Sequence, residues 1–271
     1  MWLSLVERSV RDRAVVGSNP AIPTIELSGG PCERPAVPVH MKGLAVVEEL
    51  LRWTGYGLCH QLPERSFFGG GIQVPVCARD TGIYVGFIVS LITLAILHRG
   101  ERPRGFAPTA AWVAMGAMLV VFGWDGVSSY AGFRGTTNEI RLATGLGVGF
   151  SSAALLAPIL NDLLWRTASD LRVLAPTWRL GAWLASIIAT WVVVWYALPL
   201  LGRGYPVVVS LAILVTLAVI NLVMVAMHPA FDRQAGSIRD LALPMILSLV
   251  LAGLEIWLAA LARGALVGWL S

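Results

Sequence analysis

The chain has 271 residues, of which 56% are hydrophobic and 13% are charged, with a net charge of +4 and a mean hydropathy of +0.73. Soluble domains usually carry about 25% charged residues, so the composition excludes an ordinary soluble globular protein. The basic residues stand mostly in short loops between apolar runs, which indicates membrane orientation and no nucleic-acid partner. We predict an all-α, polytopic membrane helical bundle with about six transmembrane helices and the lipid bilayer as its partner.

Residues 1–40 differ in composition from the rest of the chain, because they are polar and rich in Pro and Gly. They lack the continuous apolar region of a signal peptide. Gly17-Ser18-Asn19-Pro20 can be encoded by the T-arm consensus of a transfer-RNA gene. We expect either a disordered tail or an extension from a wrongly assigned start codon, with synthesis beginning at Met41.

The remaining chain divides into an interfacial helix and two groups of spans. Residues 41–58 predict a short amphipathic helix, with Trp53 and Tyr56 suited to the headgroup level. Residues 59–160 form a motif-bearing membrane core with three spans, and residues 161–271 add three further helices. The predicted spans are 81–98, 109–124, 139–160, 180–201, 206–227 and 241–261.

The arginines predict the orientation in a prokaryotic cytoplasmic membrane. Loops 98–108, 161–179 and 228–240 hold eight arginines, whereas the opposite side holds four beyond the first span. Because positive charge favours the cytoplasmic side, segment 59–80 and the loop 125–138 are expected on the outer face.

A Cys- and His-containing segment carries the strongest motif, Cys59-His60-Gln61-Leu62-Pro63-Glu64-Arg65-Ser66-Phe67-Phe68, and a second string follows from Pro75 to Tyr84. Cys59, His60, Cys77 and Asp80 are candidate zinc ligands, and zinc prefers four ligands in a tetrahedron. Cys77 and Asp80 have the spacing of a ligand pair. Three alternatives stay open, namely a Cys59–Cys77 disulfide, two reduced structural cysteines, and an Asp80 that only stabilises a helix N-terminus.

These two strings resemble the prokaryotic membrane family named domain of unknown function 2085, over roughly residues 55–160. The resemblance implies no established activity. Family members typically read Cys-Ala-Arg-Cys in the second string, which with Cys59 and His60 would complete a set of three cysteines and one histidine. This chain has Asp80 at the position of the last cysteine, so a four-ligand site here becomes less thiophilic.

A second polar stretch runs from Asp125 through Arg134 to Asn138 and Arg141. Thr136 and Glu139 fit a capping box, which predicts a helix start near Thr137. Gly82-x3-Gly86 and Gly145-x3-Gly149 predict close packing of the first and third spans. Arg79 and its neighbours would then form either ion pairs or, through Arg65, Arg134 and Arg141, a site for an anionic lipid headgroup.

Two polar residues, Asn221 and Glu255, lie inside predicted spans and are intramembrane functional candidates. No P-loop, His-Glu-x-x-His helix or Gly-x-Ser-x-Gly turn is present. Two hypotheses therefore remain for the outer-face site, a metal-binding membrane protein with uncertain enzymatic activity, or a scaffold that contacts headgroups. A transporter is a third, but no paired broken helices support it.

Overall fold

The protein is described by a computed structural model, with the backbone placed for residues 39–270 and the side chains for residues 47–269. The predicted N-terminal extension and Cys32 lie outside the described residues. Seven α-helices follow one another in this part of the chain, α1 (Val39–Tyr56), α2 (Ala78–Leu97), α3 (Thr109–Tyr130), α4 (Asn138–Leu164), α5 (Thr177–Val192), α6 (Gly204–Ala226) and α7 (Ala242–Leu270).

Six of the described helical segments are long and apolar enough to cross a membrane, which confirms the predicted fold class. α5 continues through a π-helical turn, Val193–Ala197, and a 3₁₀ turn, Leu198–Leu201, and is counted with them as one span, Thr177–Leu201. The prediction that a loop begins at residue 125 is wrong. Because α3 continues to Tyr130, Asp125 lies inside this helix, in its last two turns.

The six spans form an inner and an outer group. In the apolar stretch of α4, 61% of the residues are buried, whereas in that of α5 only 11% are buried. α2, α4 and α6 therefore form the centre of the bundle, and α3, α5 and α7 present most of their apolar surface outward. In a bilayer, that outward surface is the one that faces lipid.

The contact between α2 and α4 is the most extensive helix–helix contact of the described structure. A Cβ atom at Gly82 would lie 2.6 Å from the carbonyl oxygen of Leu142, and Cβ atoms at Gly145 and Gly149 would collide with the carbonyls of Arg79 and Ile83. Only glycine permits this approach, as the spacing of the glycines indicated. The two helices run in parallel, so both begin at one face and both end at the other.

We call the face where α2 and α4 begin the cysteine face, because Cys59 and Cys77 lie there. The face where they end, about 30 Å away for a 20-residue helix, is the opposite face.

A β-hairpin at the cysteine face was not predicted. Strands β1 (Ser66–Gly69) and β2 (Ile72–Cys77) pair antiparallel, and Gly70 and Gly71 form the turn with φ of 57° and 83°. Val74 and Val76 are fully buried, so the hairpin packs into the bundle. At the opposite face, β3 (Pro103–Gly105) pairs in parallel with β4 (Ser169–Arg172). α1 contacts β2 and α7, which sets it beside the hairpin.

Candidate metal centre at the cysteine face

Cys59 is held in a tight loop after α1. Its backbone N–H donates to the Gly55 carbonyl at 2.9 Å. Gln61 adopts a left-handed φ of 54°, and its side-chain amide donates to the carbonyls of Arg52 and Pro75 at 2.8 and 2.9 Å. These bonds connect the loop to α1 on one side and to β2 on the other, so they fix the direction of the Cys59 side chain.

Arg263 of α7 also contacts this loop. Its guanidinium donates to the carbonyl oxygens of both Tyr56 and Cys59 and lies 4.6 Å from the centre of the Tyr56 ring. A basic side chain within the span of α7 therefore satisfies the carbonyl of the last residue of α1 and that of Cys59 in the loop that follows.

Cys77 and Asp80 reach the site from the junction of β2 and α2. Cys77 is the N-cap residue of α2, and Asp80 lies in the first turn of that helix, where the helix dipole favours a carboxylate. The Cys77 thiol donates to Asp80 Oδ2 at 3.2 Å, and the Cys77 N–H donates to Cys59 Sγ at 3.3 Å. One ligand atom from each of Cys59, Cys77 and Asp80 lies within 4.8 Å of the others.

This spacing is close to what a zinc ion requires. Ligand atoms at about 2.3 Å from zinc are roughly 3.8 Å apart in a tetrahedron, so modest side-chain rotations would bring the three atoms onto one ion. Two thiolates and a carboxylate would leave the fourth position open to water or another ligand.

The two thiols have different affinities for protons. The hydrogen bond from the Cys77 side chain lowers the pKa of Cys59 to about 7, although burial opposes this change. The same hydrogen bond, with burial and the charge of Asp80, raises the pKa of Cys77. The Cys77 thiol donates to Asp80, and in the described chain no basic side chain forms an ion pair with Asp80.

His60 does not join the other three predicted ligands. Its side chain is exposed, and it is absent from the group whose ligand atoms converge. His60 does line a cavity of about 430 Å³ together with Cys59, Cys77, Asp80 and Arg65. Cys59 and Cys77 are free thiols in this structure, so the disulfide of the alternative hypothesis is not formed here.

Asp125 organises the second polar stretch. It is 1% exposed and accepts hydrogen bonds from Arg79, from Arg134 at 2.5 Å and from the Thr136 hydroxyl at 2.8 Å. Thr136 is therefore occupied with Asp125, and Thr137 stands at the N-cap of α4. This network connects the start of α2 to the end of α3 and the loop that follows.

Arg65 and Arg141 are placed differently from Arg79 and Arg134. Arg141 donates to the Asn138 side chain at 2.9 Å, and the one described carboxylate near Arg65 is Glu64, at 4.0 Å and largely exposed. Asn138 itself donates to the Glu64 carbonyl at 3.3 Å. Among the described residues Arg141 thus has no carboxylate partner, and Arg65 has only the exposed Glu64.

Comparison with known proteins gives this arrangement a family. Residues 59–155 match a family described as predicted membrane protein (DUF2085). An uncharacterised protein of Methanocaldococcus jannaschii is 33% identical over 109 residues, which cover 40% of this chain and 67% of the relative. An uncharacterised protein of Methanothermobacter thermautotrophicus is 34% identical over 108 residues, which cover 40% of this chain and 90% of the relative. The chain belongs to the DUF2085 family. No solved structure matches it significantly.

The DUF2085 segment contains Cys59, Cys77 and Asp80 and the whole Asp125 network, but it ends before α7. Arg263 lies outside it, and sequence reasoning did not assign Arg263 a role in the site. Gln61 and Gln73 were missed as well, although the Gln73 side chain donates to the Gln61 carbonyl at 2.9 Å. The one sequence signal for these two residues is that both have polar side chains in a mostly apolar chain.

The predicted intramembrane pair lies away from this site. Asn221 of α6 donates to Glu255 Oε2 of α7 at 3.0 Å, and Asn221 is buried whereas Glu255 is exposed. These two residues connect neighbouring helices of the outer and inner groups, as interhelical hydrogen bonds do in membranes.

Proposed function

We propose that this DUF2085 protein is a multi-pass membrane protein that binds one zinc ion through Cys59, Cys77 and Asp80. The observation that supports this most directly is the convergence of two thiols and a carboxylate, whose ligand atoms lie within 4.8 Å of one another. A divalent cation would replace the thiol protons and satisfy all three groups, because a bound metal deprotonates its thiol ligands.

The 430 Å³ cavity supports an open fourth position on the ion. Zinc sites with three protein ligands and a bound water are typical of catalysis, since zinc lowers the pKa of that water to about 7. Hydrolysis of a lipid or envelope substrate is therefore the enzymatic form of this proposal. Arg65, which lines the same cavity, would then face the substrate.

The second candidate function is a scaffold without catalysis. The closeness of the two free thiols favours it, because oxidation would close the segment between them with a disulfide, worth roughly 3 kcal/mol in the chain-entropy model. In this form Arg65 and Arg141 would contact an anionic lipid headgroup, since Asp125 already occupies Arg79 and Arg134. The expected sign is that the unchanged protein binds anionic vesicles more strongly than neutral ones and that the Arg65→Gln/Arg141→Gln protein loses this preference.

The proposal places the cysteine face outside a cytoplasmic membrane. The arginines of the opposite-face loops support this orientation. After zinc is removed with a chelator, a membrane-impermeant maleimide applied to intact cells should label the cysteine-face thiols of a Cys32→Ser variant. Labelling only after the membrane is opened would reverse the orientation.

The deciding experiment measures zinc content and free thiols on the full chain purified in detergent. We expect about one zinc per chain, lost in Cys59→Ser, Cys77→Ser and Asp80→Asn variants. Cys32→Ser, which changes a cysteine outside the described residues, is the comparison variant and should keep the metal, as should His60→Ala. Cobalt in place of zinc should give thiolate charge-transfer absorption that disappears with Cys77→Ser.

Each remaining result has a defined meaning. Absence of metal with two blocked thiols that reappear on reduction would establish the disulfide and overturn the zinc proposal. Zinc that survives Cys77→Ser would mean that the ion is bound elsewhere. Loss of zinc with His60→Ala would add a fourth protein ligand and remove the open position, and with it the enzymatic form.

A further inference from the structure

A cavity at the opposite face has a volume of about 750 Å³, within the usual range of small-molecule sites. Its walls come from the last turns of α2 and α4 and from three loops that meet there. None of its residues belongs to the metal centre, from which it is separated by the length of α2.

Backbone hydrogen bonds hold these three loops against one another. Ser169 N–H donates to the Arg102 carbonyl at 2.8 Å, Arg166 N–H donates to the Ala235 carbonyl at 3.1 Å, and Ala235 N–H donates to the carbonyl of Leu164 at the end of α4 at 3.0 Å. The Asn161 side chain donates to the Pro103 carbonyl at 2.9 Å. The cavity is therefore formed before a ligand arrives, which reduces the entropy cost of binding.

The mouth of the cavity carries an excess of positive charge. Arg99 and Arg102 both line it, and neither forms an ion pair with a carboxylate in the described part of the chain. Glu101, the single acidic residue of the lining, is neutralised by Arg179 at 2.8 Å. The Arg102 guanidinium stacks on Trp165 at 3.5 Å, which fixes the position of its charge.

The inner end of the cavity is apolar. It is lined by side chains from the last turns of two membrane spans, Leu91, Leu94, Ala95, Ala157 and Leu160. A ligand that fills the site must therefore combine an anion at the mouth with an apolar chain directed between the helices. Two fixed or nearby guanidinium groups suit a phosphate, which has more charge and more acceptor oxygens than a carboxylate.

We propose that this cavity is a binding site for a phosphate-bearing membrane lipid, with the phosphate at Arg99 and Arg102 and the start of an acyl chain against Leu94, Ala157 and Leu160. The site stands independently of zinc. It lies at the boundary of the membrane spans, where headgroup phosphates of one leaflet are found.

Native mass spectrometry of the full chain in detergent tests the proposal with dioleoyl phosphatidic acid as the probe. We expect one saturable lipid per chain, with affinity reduced about tenfold by Arg102→Gln or Arg99→Gln, the loss expected for one charge-assisted contact. Ala157→Leu fills the apolar end without touching the arginines and should also weaken binding. Arg239→Gln removes an exposed charge of the same face outside the lining and should leave the affinity unchanged.

Competing ligands separate the sources of the phosphate. Equal binding of glycerol 3-phosphate, insensitive to Ala157→Leu, would assign the site to a soluble phosphate ester and overturn the lipid. Equal affinity for oleate, which carries a carboxylate and no phosphate, would overturn the proposal that the site recognises a phosphate. Equal affinity for dioleoylglycerol, which has the acyl chains but no phosphate, or the same loss with Arg239→Gln as with Arg102→Gln, would reduce the binding to unspecific adsorption and overturn the site.

Discussion

The two ends of the α2–α4 pair carry cavities with opposite chemical requirements. At the cysteine face, ligand atoms of Cys59, Cys77 and Asp80 lie within 4.8 Å of one another and would accept a cation. At the opposite face, Glu101 is neutralised and two arginines remain, so the cavity would accept an anion. The helices that support both ends are the same pair. The difference comes from the loops at each end, and the glycine contact keeps those ends at a constant distance.

The largest effect should follow from separating the helix pair itself. Gly145→Leu places a side chain against the Arg79 backbone, so α2 and α4 must move apart and both ends should be lost together. We expect no stably folded protein after extraction, measured by size-exclusion chromatography and by resistance to sodium dodecyl sulfate unfolding. Gly123→Leu is the control, because a Cβ at Gly123 meets nothing within 4 Å. A folded Gly145→Leu protein would refute the tight contact.

The next largest effect should be confined to one of the two ends, the cysteine face. Asp125→Ala leaves Arg79 and Arg134 without their carboxylate at the cysteine face alone, and breaking a buried ion pair costs about 3–5 kcal/mol. The free energy of unfolding should fall accordingly, while lipid binding at the opposite face survives in the folded fraction. Asp162→Ala, whose pairs with Arg104 and Arg233 are largely exposed, should cost about 1 kcal/mol or less. Equal losses of unfolding free energy in the two variants would contradict the burial of Asp125.

Much of this fold could be predicted from the sequence, because its strongest signals are local. Apolar runs determine where spans lie, and glycines four residues apart determine which spans pack closely. Cys77 and Asp80 are separated by two residues, so their side chains lie close together within one helical turn. These predictions need no knowledge of distant parts of the chain.

The parts that could not be predicted depend on residues far apart in sequence. Arg263 reaches Cys59 from the last helix, and the opposite-face cavity forms where three loops meet. The hairpin was missed because its strands are four and six residues long, too short for a clear alternating pattern. His60 is exposed and is not among the residues whose ligand atoms converge, so its role as a ligand stays a prediction.

A smaller effect should come from Arg263→Gln, which removes the charged donor to the Tyr56 and Cys59 carbonyls. Hydrogen bonds to charged groups contribute about 1.5–3 kcal/mol, so the unfolding free energy should fall by this order. If zinc is bound, its affinity should fall about tenfold or more, as for other residues that orient metal ligands. Arg239→Gln serves as the charge-matched control. Unchanged zinc affinity together with reduced stability would limit Arg263 to a structural role.

The smallest effect concerns pH at the opposite face. His98 is buried between Glu101 and Arg179, with its Nδ1 at 3.1 and 2.8 Å from their side chains, and burial lowers its pKa below the ordinary 6.5. Below pH 6.5, His98 is therefore protonated in the unfolded chain but is still neutral in the folded chain. Stability should consequently decrease as the pH falls from 6.5 towards the folded pKa, by at most about 1.4 kcal/mol per pH unit.

His98→Gln should remove this dependence, whereas His228→Gln, which alters an exposed ring, should retain it. The pKa of Glu101 is lowered by its hydrogen bond from Arg179, so the stabilisation from Glu101 is lost only at pH values below 4.5 and does not interfere. The measurement is the slope of unfolding free energy against pH between 5 and 6.5, compared among the three proteins. Identical slopes would mean that His98 is protonated as readily inside the fold as outside it. A flatter slope in His98→Gln alone would establish that the opposite face excludes an additional positive charge, although its cavity already presents two arginines to a ligand.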